Sequence, residues 1–253
     1  MTPTWQSEDG NIKLYNCSCF DYGKFDCDVV ISDPPFSSRT HDGHDEGARP
    51  GYDETYRNVL SYTAWGKPEV NALCKLLPPK GWVCILTDHT LAREWEAELQ
   101  AIKRYVFAPL PCVMKGRSVR LCGDGPSSWT DWLIVSRTAK EHKWGTLPGS
   151  YEGKPSEIVH GGGKPVGMMC NIVTDYSNEG DIVLDFCMGG GTTGIACLAN
   201  NRKFIGIEQD SVTFEKAKKR IITELSQQRL PIYVSNNRNR PTVESQSGAS
   251  LFT

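Results

Sequence analysis

The chain has 253 residues, is 39% apolar and 23% charged, and carries a formal net charge of −2. This composition is that of a globular protein with room for one α/β domain and a small insertion, and it argues against a globally basic nucleic-acid binder. No apolar run approaches the roughly 18 residues of a membrane span and no signal-peptide pattern opens the chain, so an intracellular protein is expected. The ten cysteines contain no Cys-x-x-Cys pair, the closest spacing being Cys17-Ser18-Cys19. Free, largely buried thiols are expected, not disulfides or zinc ligands.

In chain order, Ile12 to Tyr15 alternates and predicts a short strand. The run Val29-Val30-Ile31-Ser32 predicts a buried strand that stops at Asp33-Pro34-Pro35-Phe36, because each proline fixes its φ and Pro35 also bars Pro34 from the helical region. A carboxylate and an aromatic ring are thus held at the carboxyl end of a strand, where open α/β sheets place ligands. Residues 37–53 are almost devoid of apolar side chains and predict a long loop, a candidate lid over that site. His41, His44 and Asp45 lie in it, but polar loops carry such residues by chance and no metal is expected.

Residues 56–77 have helical apolar spacing, closed by Pro78-Pro79. Gly81 opens a buried strand over 82–86, and 90–103 predicts an amphipathic helix capped by Thr90. Further strands are expected at 105–107 and 132–135, so strand and helix alternate as in an α/β sheet. Residues 101–164 carry ten Lys and Arg against five Asp and Glu, whereas residues 1–60 carry five against eleven. Arg117, Arg120 and Lys143 lie in this basic segment, with Trp144 and Tyr151 as stacking surface, a mixture that suits nucleic acid or a packed surface loop. From 138 to 163 periodicity is lost, which predicts an insertion outside the core. A helix is expected over 166–176, then a strand into a glycine turn, a helix over 195–200, and a strand over 204–207 ending at Glu208. The last helix spans 212–227, with Ala217, Ile221, Ile222 and Leu225 facing inward, before a polar tail from 228 that reads as disordered.

Gly189-x-Gly191-x-x-Gly194, with strand before and helix after, matches the dinucleotide fingerprint, and Glu208 stands 19 residues past Gly189. Glycines let the backbone approach the ligand, and the acid at the next strand end grips ribose hydroxyls, so an adenosine-type cofactor is expected. A nicotinamide dehydrogenase needs more nucleotide-binding domain downstream than the single strand-helix unit found here.

With both sites read, the chain resembles the β-class amino-methyltransferases of DNA, which use S-adenosylmethionine (SAM). The resemblance rests on five motifs in order over roughly residues 10–225: Asp33 to Phe36, the insertion near 138–160, His160/Lys164/Pro165, Asp185 to Thr193, and Glu208. Phe186 and Cys187 stand where the family usually has Pro and Phe, and Cys17-Ser18 where Gly-Asp is usual.

The resemblance implies an α/β fold, a doubly wound and mostly parallel sheet with circularly permuted motif order and a small recognition segment. Residues 1–137 would form the catalytic half, 138–163 the recognition insertion and 164–227 the SAM-binding half. It implies base flipping from double-stranded DNA, with Phe36 stacking on the flipped base and Asp33 and the Pro34 carbonyl accepting from its amine. Asp33, Pro34, Pro35 and Phe36 would be the catalytic set. Lys164, Pro165, Asp185, Phe186, Gly189, Gly191, Thr192 and Glu208 would hold SAM, and Arg39, Arg117, Arg120 and Lys143 would contact DNA. Homodimers are common in the family, and a cytoplasmic enzyme of a restriction-modification system, or an orphan or phage enzyme, is implied. Asp at the first motif position favours N6 of adenine. N4-cytosine methylation, or SAM and DNA binding without catalysis, are the alternatives.

Overall fold

The computed structural model describes residues 1–40, 63–116, 126–139, 145–154 and 163–227. In chain order the elements are β1 (Trp5–Gln6), β2 (Ile12–Asn16), β3 (Val29–Ser32), α1 (Lys67–Cys74), β4 (Trp82–Thr87), α2 (His89–Ala101), β5 (Tyr105–Val106), β6 (Leu110–Val113), β7 (Thr130–Arg137), β8 (Tyr151–Glu152), α3 (Val166–Tyr176), β9 (Ile182–Asp185), α4 (Thr192–Ala199), β10 (Lys203–Glu208) and α5 (Ser211–Gln227). All these strands join one mixed sheet of order β1-β2-β10-β9-β3-β4-β7-β6-β8, with β5 on β7. The central strands β2, β10, β9, β3 and β4 run parallel. β7 runs antiparallel to β4 and to β6.

Buried strands explain the near-continuous apolar runs, and their period of two divides the core into two layers. Val29 and Ile31 of β3 join Val173, Ile195 and Phe214 of α3, α4 and α5 on one face. Val30 turns the other way, onto Leu73 of α1 and Trp95 of α2. Helices thus cover both faces, the doubly wound arrangement expected. β3 and β9 are neighbours although their paired residues, such as Val29 and Val183, stand 154 positions apart in sequence, as the permuted order requires.

Several local expectations are corrected. Of the helix expected over 56–77, the described part begins at Lys67, because Gly66 and Pro68 set its start and Glu69 accepts from the Gly66 N–H at 2.9 Å. The cap of α2 is Asp88, not Thr90: its carboxylate accepts from the Thr90 and Leu91 N–H groups. The run at Leu110–Val113 is a strand despite Pro111, and Pro109 and Pro111 hide it in the sequence. The insertion is not wholly outside the core. Tyr151 is 1% exposed, pairs beside Cys112, and donates its hydroxyl to Asp175 at 2.9 Å, so it offers no stacking surface. Ile222 is 40% exposed and does not face inward. The polar tail lies outside the described residues. All nine described cysteines are free, seven of them buried, and burial pushes the Cys27 and Cys74 thiols up to about 12. No described helix is long and apolar enough to cross a membrane.

Candidate active site

The end of β3 delivers Asp33 to the carboxyl edge of the parallel strands, beside the end of β9. Lys164, which precedes α3, reaches that same edge and places its Nζ 2.6 Å from Asp33 Oδ2. The lysine is 4% exposed and lies 3.4 Å from Asp131 Oδ2 on β7 and 4.8 Å over the Phe36 ring. Lys164, expected at the cofactor, is here an ion-pair partner of the Asp33 carboxylate. Phe36 is 8% exposed and Pro34 is buried beside it. Asp131 has no signal in the sequence: one acid in an alternating strand looks like a solvent-facing residue, yet it is 3% exposed.

Asp88, just past β4, anchors the chain immediately after Phe36. Besides capping α2 it accepts from the Ser37 N–H at 2.9 Å, the Ser37 hydroxyl, and Thr40 Oγ1 at 2.7 Å. Trp65 N–H donates to the Phe36 carbonyl at 3.0 Å, so the chain returns to the same motif after residues 41–62. Burial raises the Asp88 pKa, but the bonds from Ser37, Leu91 and Thr40 outweigh it and the net shift is downward. Removing this carboxylate strands several buried donors, so Asp88→Ala should cost roughly 3 kcal/mol in denaturant unfolding at neutral pH. The contribution from ionised Asp88 is present above the ordinary aspartate value of 3.8 and is lost as pH falls below it.

Across the β3–β9 boundary lies the glycine turn. Gly189 and Gly191 have φ of +48° and +76°, which L side chains resist. A Cβ on Gly189 would point into open space, whereas one on Gly194 would meet the Phe204 ring at 2.8 Å. Gly194 is thus required by helix–strand packing, and Gly189 by the turn and by whatever approaches it. Glu208, at the end of β10, accepts from the Gly189 N–H at 3.0 Å and the Asp210 N–H at 2.9 Å. Burial raises its pKa, with those two bonds opposing. Arg220 of α5 clamps the turn from behind, donating to the Gly190 carbonyl at 2.9 Å and to Thr192 Oγ1 at 3.1 Å.

Asp185 is a strut between the two halves of the site. Its Oδ1 accepts from Ser32 at 2.7 Å and from the Cys187 N–H at 3.1 Å, and its Oδ2 from Thr193 at 2.6 Å. Phe186 is buried and lies parallel to the Phe25 and Trp65 rings, with centroids 5.8 and 6.3 Å away. Burial pushes the Asp185 carboxyl up to about 6 against the hydrogen bonds from Ser32 and Thr193. The native state therefore binds this proton more tightly than the unfolded chain. Wild type should lose stability relative to Asp185→Asn as pH rises from 3.8 to about 6. Unfolding free energies measured across that window should diverge by about 3 kcal/mol at its upper end.

Pro165 caps α3 and is buried with Lys164. Arg39 is exposed on the same edge, its Nη1 2.8 Å from His89 Nε2. Arg117, Arg120, Lys143, Trp144 and His160 lie outside the described residues, as do His41, His44 and Asp45 of the long loop. Register carries Lys115 and Trp129, which flank residues 117–125, past the end of β4 on the edge that holds Asp33. Among the described residues no group of three or more His, Cys, Asp or Glu could hold a metal ion.

The residues present fit SAM. The open side of Gly189, an acceptor carboxylate at the next strand end, and a helix N-terminus after the turn suit an adenosine and an amino-acid group. The carboxylates at the edge suit a sulfonium cation.

A sequence profile for DNA methylases of the N6/N4 type matches residues 128–219. The Type II methyltransferase M2.MboI of Moraxella bovis is 38% identical over 254 residues, spanning 87% of this chain and 91% of its own length. The DNA adenine methyltransferase YhdJ of Escherichia coli K12 is 43% identical over 65 residues, 26% of this chain and 20% of YhdJ. The crystal structure of M1.HpyAVI with SAM superposes with a TM-score of 0.60 at 23% identity, over 83% of this chain and 99% of that one, which shows a shared fold. Fold and site together define a SAM-dependent methyltransferase. The chain belongs to the family of DNA methyltransferases that modify the exocyclic amines of adenine (N6) or cytosine (N4).

Proposed function

We propose that this enzyme methylates the N6 amine of adenine at a specific sequence in double-stranded DNA, in the cytoplasm of a prokaryotic or phage-infected cell. The observation that carries the reading is Asp33, at the carboxyl end of β3, one strand away from the glycine turn of β9. Asp at this motif position goes with adenine in most of the family, and the relative YhdJ is an adenine enzyme by name.

A base within a duplex hides its amine, so the base is flipped out to the strand edge that holds Asp33. Phe36 supplies the aromatic surface there. Asp33 and the Pro34 carbonyl accept the two amine N–H groups and draw the nitrogen lone pair out of conjugation with the ring. SAM supplies an electrophilic methyl on a positively charged sulfur. The Gly189–Gly191 turn and Glu208 hold the cofactor beside Asp33, while Asp185 sets the distance between the two sites through Ser32 and Thr193. Positioning does most of the work. Receipt of the methyl group would leave the amine positively charged, and Asp33 is placed to take its surplus proton. Arg39, with Arg117, Arg120 and Lys143, would meet backbone phosphates, and residues 138–163 would contribute to base reading.

The test is methyl transfer from labelled SAM to mixed-sequence duplex DNA, followed by nucleoside mass spectrometry. N6-methyladenine is expected. N4-methylcytosine would overturn the base assignment and keep the residue roles, and no product with SAM bound would overturn both.

A further inference from the structure

The roles assigned to the other site residues leave Asp131 unused, although it stands in the same buried cluster. Sheet order puts β4 between β3 and β7, so Asp33 and Asp131 reach Lys164 from strands on either side of it. The ammonium is 2.6 Å from one carboxylate and 3.4 Å from the other, and both Lys164 and Asp131 are almost wholly removed from water. A buried ammonium needs a carboxylate partner, and losing one is costly.

The arithmetic of charge has two consequences. Asp33 and Lys164 alone form a neutral pair, and its field does little for an amine that turns cationic as it receives the methyl. With Asp131 as a second carboxylate on the ammonium, Lys164 does not neutralise Asp33 alone, and Asp33 keeps more of its charge where positive charge develops. In addition, Lys164 sits on Asp33 Oδ2 while the other oxygen of that carboxylate is buried, so an amine that engages Asp33 from the open side meets the ammonium there and the ammonium needs another seat.

Resting on the methyltransferase reading, we propose that Asp131 is a positioning residue for methyl transfer. It is the second counter-ion of Lys164, receives the ammonium when the target amine engages Asp33, and so leaves the Asp33 charge available to the reaction. Asp131 exchanges no proton and touches neither substrate nor cofactor.

The test is a double-mutant cycle of Asp131→Asn and Lys164→Met, read as single-turnover methyl transfer to duplex DNA, with KM for DNA and for SAM measured alongside. Asp131→Asn should slow transfer on the order of tenfold to a hundredfold with both KM values within about threefold of wild type. Asp131→Glu, which restores the charge, should recover most of the loss. In the Lys164→Met background Asp131→Asn should change the rate by no more than about twofold, because its effect runs through the lysine. A wild-type rate in Asp131→Asn overturns the proposal, and so does an equal fall in both backgrounds. If Asp131→Asn alone does not fold, the double variant is compared with Lys164→Met, and a further fall of about tenfold or more overturns it. An inactive wild type, or an active Asp33→Ala, would instead sink the catalytic reading on which the proposal rests.

Discussion

Asp33→Ala is expected to lower single-turnover methyl transfer by about a thousandfold or more, while SAM still raises the thermal midpoint as it does for wild type. The carboxylate is the group placed to pull the amine lone pair out of the ring, a contact that strengthens as charge develops. Its loss should therefore appear in the rate and not in cofactor affinity. The fold should survive, because Lys164 keeps Asp131 as a partner at 3.4 Å and Asp33 is already 21% exposed. Asp33→Asn separates charge from shape: it retains one acceptor oxygen, and an activity nearer to Ala than to wild type would identify the charge as what matters. A rate within about tenfold of wild type in Asp33→Ala would remove Asp33 from the chemistry.

Gly189→Val should do the reverse. Nothing lies within 4 Å of a Cβ at this position, so the first side-chain atom meets no clash and the φ of +48° supplies the backbone penalty. That strain is about 1–2 kcal/mol, and most of the stability should remain. The new side chain fills the space through which the cofactor must approach the backbone, and a fall in SAM affinity of about a hundredfold or more is expected by isothermal titration. Gly194→Val provides the contrast. There the added atoms run into Phe204 and Ile221, so the protein should unfold at a lower temperature whether or not SAM is present. Equal loss of SAM affinity in Gly189→Val and a distant surface variant of the same stability would show that strain, not occupancy, explains the first result.

Much of this architecture is legible in the amino-acid sequence. Both motifs announce themselves by local chemistry: prolines that stop a strand at Asp33, and glycines that turn one at Gly189. The helix at Val166–Tyr176 shows plain apolar periodicity and lies where expected. Harder to read are elements whose identity depends on a distant neighbour. Leu110–Val113 carries a proline and becomes a strand because β7 and β8 flank it. Tyr151 reads as surface in a Gly- and Pro-rich stretch, and it is core because Asp175 of α3 receives its hydroxyl. The motif alone assigns Lys164 to the cofactor, and only the sheet order shows it shared between two carboxylates. Asp88 and Asp131 carry no signature at all, since a capping acid and a strand acid are common and only three-dimensional neighbours reveal their load.

The order of strands along the sheet also bears on how the molecule comes off the ribosome. β2 is paired on its inner side only with β10, and β3 is held on one side by β9. When residues 1–137 have been synthesised, these two strands therefore lack the partners that will cover their inner edges. Until α3, α4 and α5 emerge with β9 and β10, Ile12 and Leu14 lack the described helices that share their face of the sheet. Contacts this far apart in sequence make folding slow and leave open edges exposed to other chains. A nascent chain interrupted before Ile182 has the Asp33 motif but neither β9 beside it nor the cofactor turn, so a truncated product should be inert towards DNA and prone to aggregate.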